Sequence, residues 1–494
     1  MKKYFTIITF FLAVLALASC GDRNKNNNNG GEYTGKEKVI TIDGGGDIGN
    51  FNTTAIMTPS EANPFPYNTL ETLCKEWEKT HKGYRVQIQP TSAAGDRGVI
   101  VPQLNQKMSA QILYQSGTVI NSDLNKGYYV DLTDALNGKN KYAPQYSKWL
   151  DLYSGEMLAA SDGKYYMVQL ERIPVGIMYN KKIFNEINLE VPTTYAEFLS
   201  ACQTLKQNGY DAYHTTYTWY DIVLESNIFS GIMDQVDVIR KDGKVDTEEM
   251  CRAYDKGIWD PSTDPNGAYY DYIRLCKEKT KYYPGYEDKS WQTYDAISNF
   301  ATGKLAMIEA TGREMRKLSV NKAIDFDWGV MTYPDLTTES SAHAAKPVVR
   351  GSAGLATSWF VTNAAEEAGT VDACIDLLQY LTAPEQNNKL IGDLKGGIPL
   401  NPSKNYELAD YIEPLIDIYN SDMEAYKRGE RVIWGAFCSW EVLGYDFNTF
   451  FIRTLQDVDN GVKNVPEAVS SLSSQIKRTV AAQKIMLGFD TSTW

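Results

Sequence analysis

The pattern of apolar and polar residues is most informative between Asp162 and Gly209. Residues 165–170 alternate between apolar and polar, which predicts a strand with one buried face. The charged, proline-containing step at 171–174 interrupts this pattern, and the apolar run 175–179 predicts a second strand. A chain that leaves one sheet through such a step and enters another is typical of a hinge between two lobes, and ligand sites often lie in clefts of that kind.

A helix is predicted directly after this hinge. Thr194 and Glu197 have the spacing of a capping box, in which each side chain accepts a hydrogen bond from the backbone of the other. Gly209 supplies a residue that ends helices readily. The apolar positions between them repeat at helical spacing and predict one buried face, formed by Phe198, Cys202 and Leu205.

Strand-like and helix-like segments alternate along much of the chain, which is typical of the α/β class. No internal repeat is visible. The sequence predicts strands at 38–42, 84–89 and 128–132, and helices at 68–79 and 102–111.

Length and charge narrow the class of protein. A chain of 494 residues exceeds what one hydrophobic core usually fills, so at least two lobes are expected. The net charge of −13 argues against nucleic acid or anionic lipid as a general partner. It leaves the choice among neutral ligands open.

The N-terminal pattern predicts a bacterial lipoprotein. Lys2 and Lys3 precede an apolar run at 4–17 that is short for a membrane span, and Leu-Ala-Ser-Cys at 17–20 matches a lipoprotein processing box. The sequence therefore predicts a signal peptide at 1–19, lipidation of Cys20 and a polar, disordered tether at 20–37. A plain cleavable signal peptide is the alternative.

Six cysteines follow Cys20, and no paired spacing among them suggests a metal site. Cys74, Cys202 and Cys374 fall on apolar helix faces, so buried free thiols are expected there. Cys251 with Cys276 is the pair favoured for a disulfide.

Several motifs that suggest other chemistry have weak support. The glycines at 44, 46 and 49 match a dinucleotide fingerprint and follow a strand, but a proline-containing loop comes next instead of a helix. The acidic run at 260–267 lacks the glutamate that closes a calcium loop. The three histidines, His81, His214 and His343, are scattered. No nucleophile elbow occurs either, so no cofactor, no metal and no enzymatic activity are predicted.

Longer motifs resemble a known family. The run from Asp162 to Gly209, DGKYY followed by MYNKKIFNEINLEVPTTYAEFLSACQTLKQNG, is similar to extracellular solute-binding proteins of ABC importers, and most of all to the carbohydrate-binding family 1. Tyr195 and Leu170 stand where that family usually has Trp and Pro. Further matches follow in the family's order: FATGKLAM at 300–307, DWGV at 327–330 with Tyr333-Pro334, residues 373–384, and GIP at 397–399.

The resemblance implies a periplasmic-binding-protein fold of type II: an α/β protein of two lobes with the ligand cleft between them. It assigns 38–171 and 355–402 to the first lobe, and 172–350 and 403–494 to the second. It also implies the permease subunits of an ABC transporter as partners. Together with the lipoprotein signal, it predicts a protein held outside the cytoplasmic membrane by its N-terminal lipid alone.

A saccharide site needs aromatic platforms for the C–H faces of the sugar and polar side chains for its hydroxyls. Trp219 stands where the family commonly presents an aromatic residue from the second lobe. Trp434 and Trp440 lie in a glycine-broken aromatic stretch at 432–447 that lines the cleft in many family members. The alternative for each tryptophan is a place in the core.

Polar candidates lie near the predicted crossovers. Glu171 and Arg172 would face the cleft, unless they only form a mutual salt bridge. The Gly-rich segment that begins at Arg350 could offer backbone amides. Gly312, Arg313 and Glu314 match the family's Gly-x-Trp motif, but Glu314 replaces its Trp, which suggests a more polar ligand. In the first lobe, the predicted contacts are Asp47, Asn50, Tyr114 and Asp123.

The sequence thus predicts a lipid-anchored solute-binding protein that captures a small polar solute, in first place a mono- or oligosaccharide, by closing its cleft. One alternative from another class is an envelope glycoside hydrolase or polysaccharide-surface protein. Another is the same fold with a peptide, polyamine or metal chelate as its ligand.

Overall fold

The computed structural model describes residues 36–44, 68–89, 97–157, 159–160, 162–215, 219–264, 266–402 and 409–494. Residues Glu37–Trp494 form one compact unit, and the unit Met1–Lys36 contributes only its last residue to the described part. The predicted signal peptide, the predicted lipidation site Cys20, nearly all of the predicted tether, and Asp47 and Asn50 lie outside the described residues.

Strands and helices alternate over much of the described chain, and the last part after β9 is helical, so the predicted α/β class is confirmed. The strands are β1 (Lys38–Asp43), β2 (Tyr84–Gln89), β3 (Ile112–Gln115), β4 (Met167–Asn180), β5 (Asp211–His214), β6 (Leu305–Thr311), β7 (Trp328–Met331), β8 (Ser352–Val361) and β9 (Ile398–Pro399).

The α-helices fall into two groups along the chain. Those before β6 are α1 (Thr69–Thr80), α2 (Arg97–Asn105), α3 (Ile120–Asp123), α4 (Thr133–Asn137), α5 (Lys181–Glu186), α6 (Tyr195–Gln207), α7 (Trp219–Phe229), α8 (Met233–Val236), α9 (Thr247–Asp255), α10 (Ala268–Thr280) and α11 (Ala296–Ala301). Those after β6 are α12 (Gly312–Ser319), α13 (Asn363–Ala368), α14 (Val371–Thr382), α15 (Pro384–Leu394), α16 (Glu413–Lys427), α17 (Ser439–Val442), α18 (Tyr445–Asp459) and α19 (Val465–Leu487).

Strand β4 belongs to two groups of strands. The order across the sheet is β2-β1-β3-β8-β4-β6-β5, with β7 and β9 also paired to β4. The first half of β4 pairs with β8 and β9, and its second half, from Val175 onward, pairs with β6 and β7. We call the part around β1, β2, β3, β8 and the first half of β4 the first lobe. The part around β5, β6, β7 and the second half of β4 is the second lobe.

The hinge predicted at 171–174 is a passage within one strand, because β4 runs without a break from Met167 to Asn180. The prediction of two separate strands in this region is therefore wrong. The charged, proline-containing step instead produces a register shift between Arg172 and Pro174 in the pairing with β8. Proline has no N–H to donate to the ladder, so a local irregularity at that point is expected.

Each lobe has its own hydrophobic core. The core of the first lobe joins β1, β3, β8 and the start of β4 to helices α1, α14 and α15, with Trp77, Trp149 and Trp359 at its centre. The main core of the second lobe joins Val175 and Ile177 of β4 to helices that include α6, α7, α10, α18 and α19. Two separate cores are what a chain of this length needs. The exact lobe boundaries given by the resemblance stay a prediction.

The local predictions differ in accuracy. Helix α6 begins at the predicted capping box, with the Thr194 side chain accepting from the Glu197 N–H, and Gly209 follows it at φ +85°. The strand at 84–89 is also confirmed. The helix predicted at 102–111 is misplaced, because α2 starts at Arg97, contains Pro102 and ends at Asn105. The segment predicted as a strand at 128–132 forms only one isolated bridge, from Tyr129 to Thr362.

Cys251 and Cys276, the pair favoured for a disulfide, do not form one, because both cysteines are free and buried in the core of the second lobe. Cys74, Cys202 and Cys374 are buried free thiols, as predicted. Burial raises the pKa of each of these thiols, which keeps them protonated. In the described part of the chain, no helix combines the length and the apolar character of a membrane span.

Candidate functional site between the two lobes

The carboxyl ends of strands from both lobes point toward the crossing on β4. In the second lobe, Thr311 at the end of β6 pairs with Val175, the first residue of β4 in that lobe, and β5 runs parallel to β6. In the first lobe, Gln115 at the end of β3 lies level with Gln169 through their shared partner Ser358, and β1 runs parallel to β3. In α/β proteins, ligands bind beside such carboxyl ends. The space between the two sets of ends is therefore the candidate site.

An aromatic group stands at the end of β5 in the second lobe. Trp219 begins α7 five residues after His214, the last residue of β5, and it is half-buried. Its ring lies 5.9 Å from that of Trp434, which in turn lies 5.8 Å from Tyr333, measured between ring centroids. The structure thus brings together two predicted tryptophans, Trp219 and Trp434, although only 8% of Trp434 is exposed.

The third predicted tryptophan, Trp440, lies in the core of the second lobe. Its ring is stacked on Phe451 at 5.3 Å with an interplanar angle of 1°, and its Nε1 donates to the hydroxyl of Tyr272 at 3.2 Å. It is 3% exposed. The buried ring and its N–H therefore serve packing, as the alternative interpretation of this residue expected.

A buried carboxylate that the sequence analysis missed lies behind the aromatic group. Glu309 on β6 accepts from the hydroxyls of Tyr213 at 3.0 Å and Tyr333 at 2.7 Å, and from the backbone N–H of Tyr220 at 3.2 Å. Burial raises the pKa of Glu309, and the nearby ammonium of Lys279 opposes that rise. The signal was present in the sequence, because Glu309 is the only charged residue in β6. This network holds Tyr333, and through it the aromatic group, in one orientation.

Glu171 and Arg172 are both buried at the crossing, at 1% and 6% exposure. As neighbours on one strand they point to opposite faces. Arg172 pairs with Glu156 and not with Glu171, and its Nη1 also donates to the carbonyl of Leu400 at 2.8 Å. Glu171 packs so closely on Gly397 that an added Cβ there would lie 1.7 Å from its Oε2. The geometry therefore gives both residues a structural role at the hinge, and a ligand contact by either stays a prediction.

The segment after β6 is a helix cap. Glu314 accepts from the backbone N–H of Thr311 at 3.1 Å and from its hydroxyl, and Thr311 accepts in return from the N–H of Arg313. An added Cβ on Gly312 would lie 1.8 Å from the carbonyl oxygen of Gly396. The position that the family fills with Trp is thus occupied here by a capping carboxylate. Only Arg313 of the three predicted residues keeps a partly exposed side chain.

Arg350 lies in a four-residue ion network beside the second crossover. Its Nε donates to Asp422 at 2.9 Å and its Nη1 lies 3.4 Å from Asp335. Arg431 binds the same two carboxylates, with Nε 3.1 Å from Asp422 and Nη2 2.8 Å from Asp335. The positive charges of the two arginines balance the negative charges of the two aspartates. The network therefore fixes helix α16, which carries Asp422, against the start of β8.

The predicted contacts from the first lobe are also engaged in the structure. Asp123 has a fully buried carboxylate that accepts from Arg97 at 2.5 and 2.7 Å, from Lys126 at 3.1 Å and from the hydroxyl of Tyr129 at 2.9 Å. Tyr114 lies half-buried on β3. The carboxylate of Asp123 has no capacity left for a ligand in this arrangement, so Tyr114 is the better placed of the two.

A cavity of about 420 Å³ lies between the lobes at another place. It is lined by Tyr153 and Tyr165 from the first lobe, and by Arg240 and Asp242 from the second. None of the predicted ligand residues within the described ranges lines it. Among those ranges, no group of three or more His, Cys, Asp and Glu residues is arranged to hold a metal ion.

The comparison with protein families identifies the chain. Residues 72–410, more than half of its length, match the family described as bacterial extracellular solute-binding protein. The chain belongs to this family. The resemblance inferred from the sequence motifs is therefore confirmed, and the members of the family are binding proteins. No curated protein matches the sequence at a significant level.

Solved structures of solute-binding proteins share the fold. The apo form of RafE from Streptococcus pneumoniae is 16% identical, covers 91% of this chain and 100% of its own, and has a TM-score of 0.56. A family 1 extracellular solute-binding protein from Bifidobacterium longum subsp. infantis is 16% identical over 90% of this chain and 100% of its own, with a TM-score of 0.58. A chitin oligosaccharide binding protein is 15% identical over 84% and 96%, with a TM-score of 0.59. These similarities confirm the two-lobed fold.

Proposed function

We propose that this solute-binding protein captures a saccharide between its two lobes and delivers it to the permease subunits of an ABC importer. The observation that carries the proposal is the arrangement at the crossing. The carboxyl ends of strands from both lobes face one space, and the aromatic pair Trp219 and Trp434 stands at its second-lobe side. A sugar ring needs such an aromatic plane beside hydrogen-bonding groups.

Structures with the same fold support this choice of ligand. They include RafE in complex with raffinose, a protein named CpMnBP1 with mannotriose bound, and a solute-binding protein from Thermotoga lettingae bound with alpha-D-tagatose. Each is 17% identical or less to this chain, so the ligands support a class of solute and not one compound.

The proposed mechanism is closure of the lobes on the solute. Because the ligand contacts both lobes at once, it binds the closed arrangement more tightly and shifts the population toward it. The chain passes between the lobes at β4 and at the start of β8, and a third passage is expected after Pro402. The closed arrangement is the state that the permease subunits recognise, and no bond is made or broken.

A thermal-shift screen tests the ligand class. We expect raffinose, mannotriose, chitin oligosaccharides or tagatose to raise the unfolding midpoint, whereas amino acids and spermidine do not. A ligand at 100 times its Kd stabilises the folded state by about 2.7 kcal/mol, which such a screen detects readily. If only spermidine or peptides raise the unfolding midpoint, the saccharide proposal is wrong and one of the alternative ligands is favoured. Release of reducing sugar from a polysaccharide would establish the hydrolase instead.

Small-angle scattering tests closure once a ligand is found. We expect a smaller radius of gyration for the protein with its saccharide than for the free protein. An unchanged radius, with binding established by calorimetry, contradicts closure.

Attachment through a lipid on Cys20 is a separate part of the proposal. It rests on the Leu-Ala-Ser-Cys box at 17–20 and the polar segment that follows. It places the protein outside the cytoplasmic membrane, on the periplasmic side or at the cell surface. Detergent phase separation of the expressed full chain tests it, since Cys20→Ala should move the protein from the detergent phase to the aqueous phase.

A further inference from the structure

A second cavity, of about 450 Å³, lies inside the second lobe. Its volume falls within the range of about 300–1,000 Å³ that is typical of small-molecule sites. Its lining includes Thr215 and Trp219, which follow β5 at the end that points toward the crossing, and also Trp291 and Leu455 of α18. The cavity therefore shares Trp219 with the aromatic group of the candidate saccharide site.

Aromatic rings supply much of the lining. The ring of His214 contacts Tyr283 at 4.7 Å and Tyr294 at 5.2 Å, and Tyr283 contacts Trp291 at 5.6 Å, measured between ring centroids. Together with Trp219, these rings line one cavity. Aromatic faces suit the C–H surface of a sugar ring.

Two buried polar atoms in the lining have no hydrogen-bond partner among the described residues: Nδ1 of His214 and Nε1 of Trp291. The Nε2 of His214 lies 3.1 Å from the backbone carbonyl oxygen of Trp291, and a carbonyl only accepts, so Nε2 carries the proton. Burial lowers the pKa of His214, which leaves the imidazole neutral and Nδ1 an acceptor. His214 is 3% exposed. A buried acceptor and a buried donor in one cavity match a hydroxyl group, which can both donate and accept.

The charges of the lining cancel. Asp221 and Lys279 form a buried pair, with Nζ 2.9 Å from Oδ1, and Asp459 accepts from the hydroxyl of Thr280 at 2.8 Å. The lining also includes Lys277, so it contains two carboxylates, of Asp221 and Asp459, and two ammonium groups, of Lys277 and Lys279. A charged ligand would gain no net attraction here, and its loss of hydration would cost far more free energy than that of a neutral ligand.

The geometry points to this cavity as a subsite of the second lobe that takes one sugar unit of the ligand, held by Trp291 and His214. The inference rests on the proposed saccharide function and adds a location to it. It implies a ligand longer than a monosaccharide, with one unit between the lobes and the next inside the second lobe.

Calorimetry with raffinose, mannotriose and chitotriose tests the inference on the full chain and three variants. Trp291→Phe removes the donor and keeps a ring, so it should weaken binding by about three- to tenfold. Leu455→Trp fills the cavity and should weaken binding more strongly. Trp328→Phe is the matched control, because Trp328 lies on β7 opposite Asn180, at the end of β4 farthest from the crossing, and should leave the affinity unchanged.

The outcomes separate this inference from the proposed function. If a trisaccharide binds the unchanged protein and all three variants equally, the subsite is overturned and the saccharide function stands. If no saccharide binds the unchanged protein, both fail. Unfolding midpoints are measured for every variant, and should Leu455→Trp not fold, the comparison of Trp291→Phe with Trp328→Phe decides.

Discussion

The guanidinium of Arg172 donates from Nε to both carboxylate oxygens of Glu156, at 3.0 and 2.9 Å. The same side chain donates to the carbonyl of Leu400, and Tyr419 of α16 donates its hydroxyl to Glu156 at 2.7 Å. One buried cation thus joins the crossing strand β4, the loop before it, the segment at β9 and, through Glu156, helix α16. The hinge region is held by this group of contacts.

Replacing Arg172 by Met should destabilise the protein by about 3–5 kcal/mol, because it leaves the Glu156 carboxylate without its cation in a mostly buried place. Urea unfolding gives this free energy. The matched control is Arg428→Met, since Arg428 forms an exposed pair with Glu430 and its loss should cost about 1 kcal/mol at most. Equal effects of the two substitutions would contradict a structural role for Arg172.

Gly312→Ala should disturb the contact between the lobes. The added Cβ would lie 1.8 Å from the carbonyl oxygen of Gly396 and 2.7 Å from Cγ of Pro174, so one segment has to move. We expect a loss of about 1–3 kcal/mol in stability, typical of overpacking, and a larger radius of gyration of the free protein. Gly231→Ala is the control, because its Cβ would meet its nearest neighbour, Ala345, at an ordinary 3.5 Å. An unchanged radius would show that Gly312 does not set the spacing.

Trp440 and Trp219 should respond differently to truncation. Trp440→Ala removes a core ring stacked on Phe451 and should cost about 3–5 kcal/mol of stability, with only an indirect effect on ligand binding. Trp219→Ala should weaken saccharide binding by about 2 kcal/mol while the fold stays cooperative. Calorimetry and the unfolding midpoint of each variant separate the two. If Trp219→Ala loses affinity only in step with stability, the platform lies elsewhere.

Stability should fall as the pH rises from 5 to 8. Glu225 is fully buried, and burial raises the pKa of its carboxyl from 4.5 to about 8, although Ser439 donates to it from its hydroxyl and its backbone N–H. The folded state thus binds a proton that the unfolded state releases above about pH 4.5. The stability that this proton contributes is complete below that pH and is lost as the pH rises through about 8. Burial also raises the pKa of Glu249 to about 7 and of Asp459 to about 6, which acts in the same direction.

Glu225→Gln tests this assignment, because an uncharged amide can still accept from Ser439. Midpoints measured at pH 5, 6, 7 and 8 should fall less steeply for the variant than for the unchanged protein. Parallel profiles for the two proteins would contradict a protonated Glu225.

The sequence by itself determined the features that depend on near neighbours. The capping box of Thr194 and Glu197 forms between residues three apart, so helix α6 begins where it was predicted. The buried thiols of Cys202 and Cys374 follow from helical spacing alone. The resemblance to solute-binding proteins also depended on motif order along the chain, and the family match confirms it.

Only the tertiary structure decided which distant groups meet. Arg172 found its partner in Glu156 and its acceptor in Leu400, 228 positions away, because β4 runs through the crossing unbroken. Cys251 and Cys276 stay unpaired because the helices that carry them bury each thiol separately. Glu309 and His214 gained their surroundings from tyrosines and tryptophans far along the chain. The periodicity of apolar residues predicts which face of a helix or strand is buried. The residues that pack against that face depend on how the elements of each lobe come together, and a short sequence pattern does not predict them.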